Sequence, residues 1–172
     1  PASPPSALAN VIALDCSAGP VFRPLPPAPT PAVITATPGR KVSLPAAAAT
    51  RAGFGLKGGL LGLTPDGTAL GPGWTPEQTA AWQVELASGG RYRVEVELAC
   101  ARHMEGTAFC LRAGQSVLRG TVPCTEGRWT RLPLGECQLF AGRNRLVLRP
   151  ERMQYCGYFA AVRRVLLTPL TS

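Results

Sequence analysis

The sequence predicts an all-β fold, an antiparallel β-sandwich preceded by an extended proline-rich arm. Short strand patterns recur along the second half of the chain, turn residues separate them, and helical periodicity is absent between them. The clearest strand covers 92–100, where Val94, Val96 and Leu98 alternate with glutamates. Short strands at this spacing, without intervening helices, are typical of sandwiches and barrels.

The other strand candidates follow at short intervals on both sides of 92–100. A hairpin is predicted around Gly114-Gln115, and one helical turn at 76–79. In chain order, the candidates are 11–14, 33–35, 41–44, 54–63, 80–86, 107–113, 116–122, 128–134, 145–149 and 160–168. Their number predicts a sandwich of about eight to ten strands.

Proline marks the predicted domain boundary. The run 20–31 (PVFRPLPPAPTP) is incompatible with a helix or a central strand and should be extended. We therefore assign 1–39 to an N-terminal arm and linker, and 40–172 to the sandwich. Because the first residue is proline rather than methionine, we expect a mature or excised fragment. No apolar run is long enough to span a membrane, so no membrane partner is expected.

The formal net charge of +8 raises the question of a polyanionic partner. Only Lys41 and Lys57 are lysines, and the remaining cations are arginines that often alternate with apolar residues. This alternation favours solvated strand faces, and no nucleic-acid-binding motif accompanies it. Binding of a polyanion through arginines therefore ranks third among the functional hypotheses, and no nucleic acid is expected as a partner.

Six cysteines occur without a C-x-x-C pair, and His103 is the only histidine. Zinc sites usually take ligands in close pairs, so an extracytoplasmic, disulfide-permissive setting fits better. Six cysteines allow fifteen complete pairings. The sequence does not choose among them, although Cys124 and Cys137, which flank one strand region, form the favoured pair.

Catalytic patterns are absent from the sequence. There is no G-x-S-x-G motif, no Walker loop and no nucleotide-binding fingerprint. Glu95 and Glu97 share one strand face beside arginines, a pattern of charge-paired surface rather than of a catalytic acid pair. We therefore expect no enzymatic activity and no cofactor.

Residues 80–101 read AAWQVELASGGRYRVEVELACA. This segment resembles the W-x-V…G-x-Y-x-V-x-V-x-x-A core of carbohydrate-binding modules similar to families 6 and 35. Ordered matches continue over about 40–170. The resemblance implies a galactose-binding-like jelly roll that recognises glycans. Through the segment 10–15, the resemblance extends to the C-terminal accessory region of an α-L-fucosidase-like glycoside hydrolase.

Modules similar to these families commonly hold a structural calcium through acidic residues on the first and last strands. Here alanines occupy 46–49, and 159–163 contains no carboxylate. Calcium requires several oxygen ligands, so we expect this metal site to be lost.

Four residues are candidates for contact with a glycan. Trp74 lies in a Gly- and Pro-rich loop, where an exposed ring could stack on a sugar. Tyr155 and Tyr158 flank Cys156-Gly157 before the last strand, and His103 lies in a loop. The alternative for the tryptophan and the tyrosines is packing, and for the histidine an exposed position without a ligand. Trp82 and Trp129 are expected in the core.

These observations predict a non-catalytic carbohydrate-binding accessory domain of a secreted protein. Its partners would be a polysaccharide or glycan and the parent chain or another protein domain. The alternative is a structural or assembly sandwich that has lost its ligand site and mediates protein–protein contacts, which the missing calcium ligands and few aromatic residues favour somewhat.

Overall fold

The computed structural model describes residues 31–53, 61–152 and 158–170. The strand predicted at 11–14, most of the one predicted at 54–63, and Tyr155 lie outside these residues. Within them there are ten strands and two short 3-10 helices, Ala46–Ala48 and Arg102–Met104. The strands are β1 Val33–Ala36, β2 Val42–Pro45, β3 Thr50–Ala52, β4 Thr79–Leu86, β5 Gly90–Ala99, β6 Ala108–Ala113, β7 Ser116–Thr121, β8 Thr130–Leu139, β9 Gly142–Arg152 and β10 Ala161–Pro169. None of the described helices has the length and apolar character needed to cross a membrane.

Two sheets form a sandwich. The six-stranded sheet has the order β1-β4-β9-β6-β7, with β3 paired to β4. The four-stranded sheet has the order β2-β10-β5-β8. All strand pairs are antiparallel except β1 with β4, which are parallel. The predicted all-β sandwich is therefore confirmed.

The core lies between the two sheets and follows the predicted alternation. On β5, Val94, Val96 and Leu98 are fully buried. Trp82 on β4 is also fully buried, as predicted, and its indole Nε1 donates a hydrogen bond to the carbonyl oxygen of Pro45 at 2.8 Å. Because β4 and β2 belong to different sheets, this bond connects the two layers across the core. A buried indole N–H usually has such a partner.

Several strands differ from their predicted bounds. β8 and β9 are longer than predicted because pairing with their neighbours continues past the alternating pattern. On β8 a bulge at Gly135, with φ +122°, allows the ladder to β5 to extend to Leu139. β3 was not predicted. β1 lies within the range assigned to the arm, yet it pairs with β4; the boundary near 39 itself remains a prediction.

Four cysteines lie among the described residues, and all four are free thiols: Cys100, Cys110, Cys124 and Cys137. Cys137 lies opposite Tyr92 on β5. The residues on either side of Cys124 contact Cys100, which follows Tyr92 by eight residues along the chain. An extended chain covers about 26 Å over that interval. A disulfide requires Cα atoms within about 7 Å. The favoured bridge between Cys124 and Cys137 is therefore wrong.

Candidate functional site

Strand direction gathers the longer connections at one end of the sandwich. β5 ends where β8 and β10 begin, with Leu98 opposite Thr130 and Ala99 opposite Ala161. At the opposite end, the described connections are short turns, such as 114–115 and 140–141. We call the first end the loop end; its described residues are 46–49, 61–78, 100–107, 122–129 and 158–160.

Backbone hydrogen bonds connect the segments of the loop end to one another. Val162 exchanges two bonds with Leu70, at 2.7 and 3.1 Å, which holds the 61–78 connection against the start of β10. Thr125 Oγ1 accepts a bond from the Cys100 amide at 2.7 Å and donates one to the Cys100 carbonyl at 3.1 Å. Backbone groups and the Thr125 hydroxyl therefore fix these connections, as a preformed ligand site requires.

Trp74 is at the loop end, but its ring is fully buried. It packs edge-on against Phe159, with ring centroids 5.3 Å apart, and Phe159 in turn contacts Phe109 at 5.2 Å. The expected exposed stacking face is therefore absent in this conformation, because the loop folds the ring into the core. Among the described residues, the indole Nε1 has no hydrogen-bond partner.

Among the described residues of the loop end, Tyr158 is an exposed aromatic residue, with 38% of its surface accessible. Its ring lies over Gly73, where an added Cβ would be 3.3 Å from Tyr158 Cδ1. Gly73 has φ +112°, a conformation that favours glycine, and its amide donates to the Phe159 carbonyl at 3.3 Å. Tyr158 therefore rests on the same loop that buries Trp74.

His103 is exposed on the 3-10 helix Arg102–Met104, which the buried side chain of Met104 anchors. It thus shares the loop end with Trp74 and Tyr158. Tyr155 lies outside the described residues.

Trp129 differs from its prediction as a core residue, because it is only half-buried. The guanidinium carbon of Arg163 lies 4.0 Å from the Trp129 ring centroid. Arg163 and Arg164 both pair with Glu97, which is 7% exposed, so this glutamate is paired as predicted but largely buried. Sequence reasoning missed this cluster because a register shift between Val162 and Arg164 places two consecutive arginines beside one glutamate. The Arg163-Arg164 pair, which breaks the alternation of β10, was the available signal.

Asp66 is held within its own turn rather than directed into a site. Its carboxylate accepts bonds from the hydroxyls of Thr64, at 2.5 Å, and Thr68, at 2.8 Å. The Thr64 hydroxyl bond, followed by those from Thr68, lowers the pKa of Asp66 to about 2.

The described residues do not fit a calcium site of the kind the sequence resemblance raises. The 3-10 helix Ala46–Ala48 offers only alanine side chains, and 158–163 contains no carboxylate. Across the described ranges, no group of three or more histidine, cysteine, aspartate or glutamate residues could hold a metal ion.

No family model and no curated protein matches the chain. Solved structures do match. The chain is similar to the Podospora anserina GH26-CBM35 β-(1,4)-mannanase, with 17% identity, a TM-score of 0.56, and coverage of 78% of this chain and 28% of that one. It therefore spans less than a third of the enzyme's length.

Two isolated modules match over nearly their whole length. One is the family 35 module of Cellvibrio japonicus Abf62, with 16% identity, a TM-score of 0.56, and coverage of 77% of this chain and 95% of that one. The other is a family 35 module from Clostridium thermocellum, with 12% identity, a TM-score of 0.53, and coverage of 76% and 99%. The chain therefore has the jelly-roll fold of family 35 carbohydrate-binding modules.

Proposed function

We propose that this chain is a non-catalytic carbohydrate-binding domain of a secreted protein, and that it binds a glycan at the loop end. Its fold is shared with isolated family 35 carbohydrate-binding modules. A domain of this kind would tether an attached enzyme to its substrate and so raise the effective concentration of that substrate at the enzyme. We also propose that the attached enzyme is an α-L-fucosidase-like glycoside hydrolase, as the sequence resemblance suggests.

The observation that carries the proposal is the exposed ring of Tyr158 on a fixed support. The ring rests on Gly73, and the neighbouring Phe159 is locked between Trp74 and Phe109. A sugar presents C–H patches that pack on an aromatic face, and the phenol can also exchange hydrogen bonds with sugar hydroxyls. Little side-chain entropy is lost on binding when the ring is already positioned.

The other predicted contacts have different roles in this proposal. Trp74 supports the loop from beneath. His103, exposed at the same end, can exchange a hydrogen bond with a sugar hydroxyl, and Tyr155 remains a candidate from the sequence. Arg163 covers Trp129, so Tyr158 offers the better stacking surface of the two.

The absence of catalysis is supported by how the carboxylates are used. Asp66 is engaged by two threonine hydroxyls, and Glu97 is largely buried between two arginines. Glycoside hydrolysis needs two carboxylates facing one cleft. Within the described part of the chain, neither of these acids is available to such a pair.

Retention on immobilised polysaccharides tests the proposal, after a glycan array has chosen the ligand. Tyr158→Ala should lower the affinity for the glycan at least tenfold. Tyr158→Phe keeps the ring and removes the hydroxyl, so its affinity shows how much each group contributes. Phe140→Ala is the matched control, because Phe140 is 57% exposed in the short turn between β8 and β9 at the opposite end. This control should bind as the wild type does.

Equal losses in Tyr158→Ala and Phe140→Ala would place the binding surface elsewhere. Wild-type protein that binds no glycan on the array or the immobilised polysaccharides would overturn the proposal and favour a structural or assembly role.

A further inference from the structure

The outer face of the six-stranded sheet carries a concentration of arginines. We call it the arginine face; it comprises Arg112, Arg119, Arg143, Arg145 and Arg149. All five are exposed, and they lie on three strands, β6, β7 and β9, that are neighbours in the sheet. The face belongs to the body of the sheet rather than to the loop end.

Glutamates compensate only part of this charge. Arg143 pairs with Glu85 at 3.7 Å, and Arg119 pairs with Glu151 at 3.2 Å. In the described part of the six-stranded sheet, these are the two acidic residues on the outer face, so the five arginines of the arginine face exceed the glutamates by three.

Arg112 and Arg145 have no acidic neighbour in the strand register. Arg112 lies between Val117 and Val147, and Arg145 lies beside Gln83. Among the described residues, neither arginine forms an ion pair.

The outer face of the other sheet is arranged differently. There Arg93 lies directly opposite Glu136, and Arg131 lies directly opposite Glu97. Each of these arginines therefore has a carboxylate as its cross-strand neighbour, the arrangement that stabilises a sheet surface. The difference lies in the register and not in the net charge, because Glu97 is also shared by Arg163 and Arg164. On the arginine face, Arg112 and Arg145 have no carboxylate as a cross-strand neighbour.

Register places three of these arginines in a zigzag. Arg112 is opposite Val147, midway between Arg145 and Arg149 on the neighbouring strand. Residues two apart on a strand are about 6.7 Å apart and neighbouring strands about 4.8 Å, so successive Cα atoms of this row are separated by about 8 Å. The row therefore presents repeated cationic groups along a line, as binding of an extended polyanion requires.

We infer that the arginine face binds an anionic polysaccharide through its carboxylate or sulfate groups. Guanidinium groups bind such oxyanions with two parallel hydrogen bonds. Val117, which is 39% exposed, and half-buried Val147 add apolar contact beside Arg112 for the C–H surface of a sugar. Single-stranded nucleic acid is bound largely by stacking on aromatic rings, and the described strands place none on this face.

This inference rests on the proposed function only in taking a polysaccharide as the occupant, since the surface is separate from the loop end. The two can therefore fail independently. Loss of the loop-end site would leave acidic polymers bound, and loss of the arginine face would leave Tyr158-dependent binding intact.

Affinity electrophoresis of the full chain through gels containing one polymer each tests the inference. Polygalacturonate supplies carboxylates, heparin supplies sulfate esters as well, and a neutral mannan supplies neither. The double variant Arg112→Gln/Arg145→Gln should lose at least tenfold in affinity for the acidic polymers. Its slope of log affinity against log salt should fall by about 1.5, since each lost contact contributes about 0.7 to 0.9.

The matched control is Arg91→Gln/Arg93→Gln, which removes the same charge from the outer face of the other sheet. It should lose less than threefold in affinity. Comparing polygalacturonate with heparin separates carboxylate from sulfate recognition.

Equal losses in the two double variants would show that net charge alone matters and would overturn the inference. Failure to bind either acidic polymer, or binding to DNA in preference to both, would overturn it too. Binding to neutral mannan alone would refute the arginine face while supporting the proposed function.

Discussion

Arg163 lies over the ring of Trp129, with the guanidinium carbon 4.0 Å from the ring centroid, and its Nη1 is 3.7 Å from Glu97 Oε1. The arginine thus joins an aromatic ring on the 122–129 connection to a carboxylate on β5. A guanidinium over a ring face contributes about 0.5 to 1 kcal/mol when partly exposed. One side chain therefore holds a loop-end connection against the sheet.

A double-mutant cycle with Arg163→Ala and Trp129→Leu measures this contact. We expect a coupling free energy of unfolding of about 0.5 to 1 kcal/mol, measured by urea denaturation. Arg163→Lys should recover only part of it, because an ammonium lacks the planar surface that stacks on the ring. Fully additive losses in the cycle would contradict the interaction.

Trp74→Ala should destabilise the fold by about 3 to 5 kcal/mol, because it empties a fully buried site against Phe159. Trp74→Phe should cost less, since it retains an aromatic ring and removes an indole N–H that has no partner. Denaturant unfolding measures both variants. A stable Trp74→Ala protein with weakened glycan binding would instead restore the role predicted from the sequence.

Gly53→Ala should destabilise the fold strongly. Gly53 has φ +87°, and an added Cβ would lie 2.0 Å from the carbonyl oxygen of Glu77. Gly39→Ala is the control, because Gly39 has φ +71° and no atom within 4 Å of the added Cβ. The control should lose only about 1 to 2 kcal/mol of unfolding free energy, the cost of placing an L-residue in a left-handed backbone conformation. Gly53→Ala should lose more than this. Equal melting temperatures for the two variants would disprove the steric conflict.

Stability should depend on pH through Asp66. The hydroxyls of Thr64 and Thr68 lower its folded pKa to about 2 from an ordinary value of 3.8. The stabilising contribution is therefore complete above the unfolded pKa and is lost as pH falls from about 4 to about 2. Asp66→Asn should melt earlier than the wild type at pH 7, and the difference should narrow over that acid range. A difference independent of pH would contradict the assignment.

Alkylation of the reduced protein should distinguish its described thiols. Cys124 is exposed and should react first, whereas burial raises the pKa of Cys137 to about 11 and that of Cys110 above its ordinary value. The thiolate is the reactive form, so both should react slowly in the folded state. Peptide mass spectrometry after short exposure to iodoacetamide measures how much each thiol has reacted. In denaturant, the difference in reaction rate between the thiols should disappear.

Local patterns were sufficient for much of the fold. The hairpin around Gly114-Gln115 and the alternation in β5 were predicted from neighbouring residues, because strand periodicity and turn chemistry are local properties. Trp82 was placed in the core for the same reason. The parallel pairing of β1 with β4 was not predicted, since no local pattern specifies a partner so distant in sequence.

The candidate site was less predictable. A tryptophan in a Gly- and Pro-rich loop has the same local sequence whether its ring faces solvent or the core. The contact with Phe159, far along the chain, decides that Trp74 is buried. The Trp129–Arg163–Glu97 cluster likewise depends on a register shift in β10 that alternation alone does not reveal.

Because the long connections and the short turns lie at opposite ends, the two ends of the sandwich differ, and the protein can be attached by one of them. β10 ends at Pro169, beyond which the Leu170 amide donates to the Arg91 carbonyl near the start of β5, at the end opposite Tyr158. A biosensor chip or fusion partner joined after the last strand would therefore hold the protein at the end opposite the loop end. Tyr158 and His103 would then lie at the end that faces the surrounding medium, accessible to a large polymer.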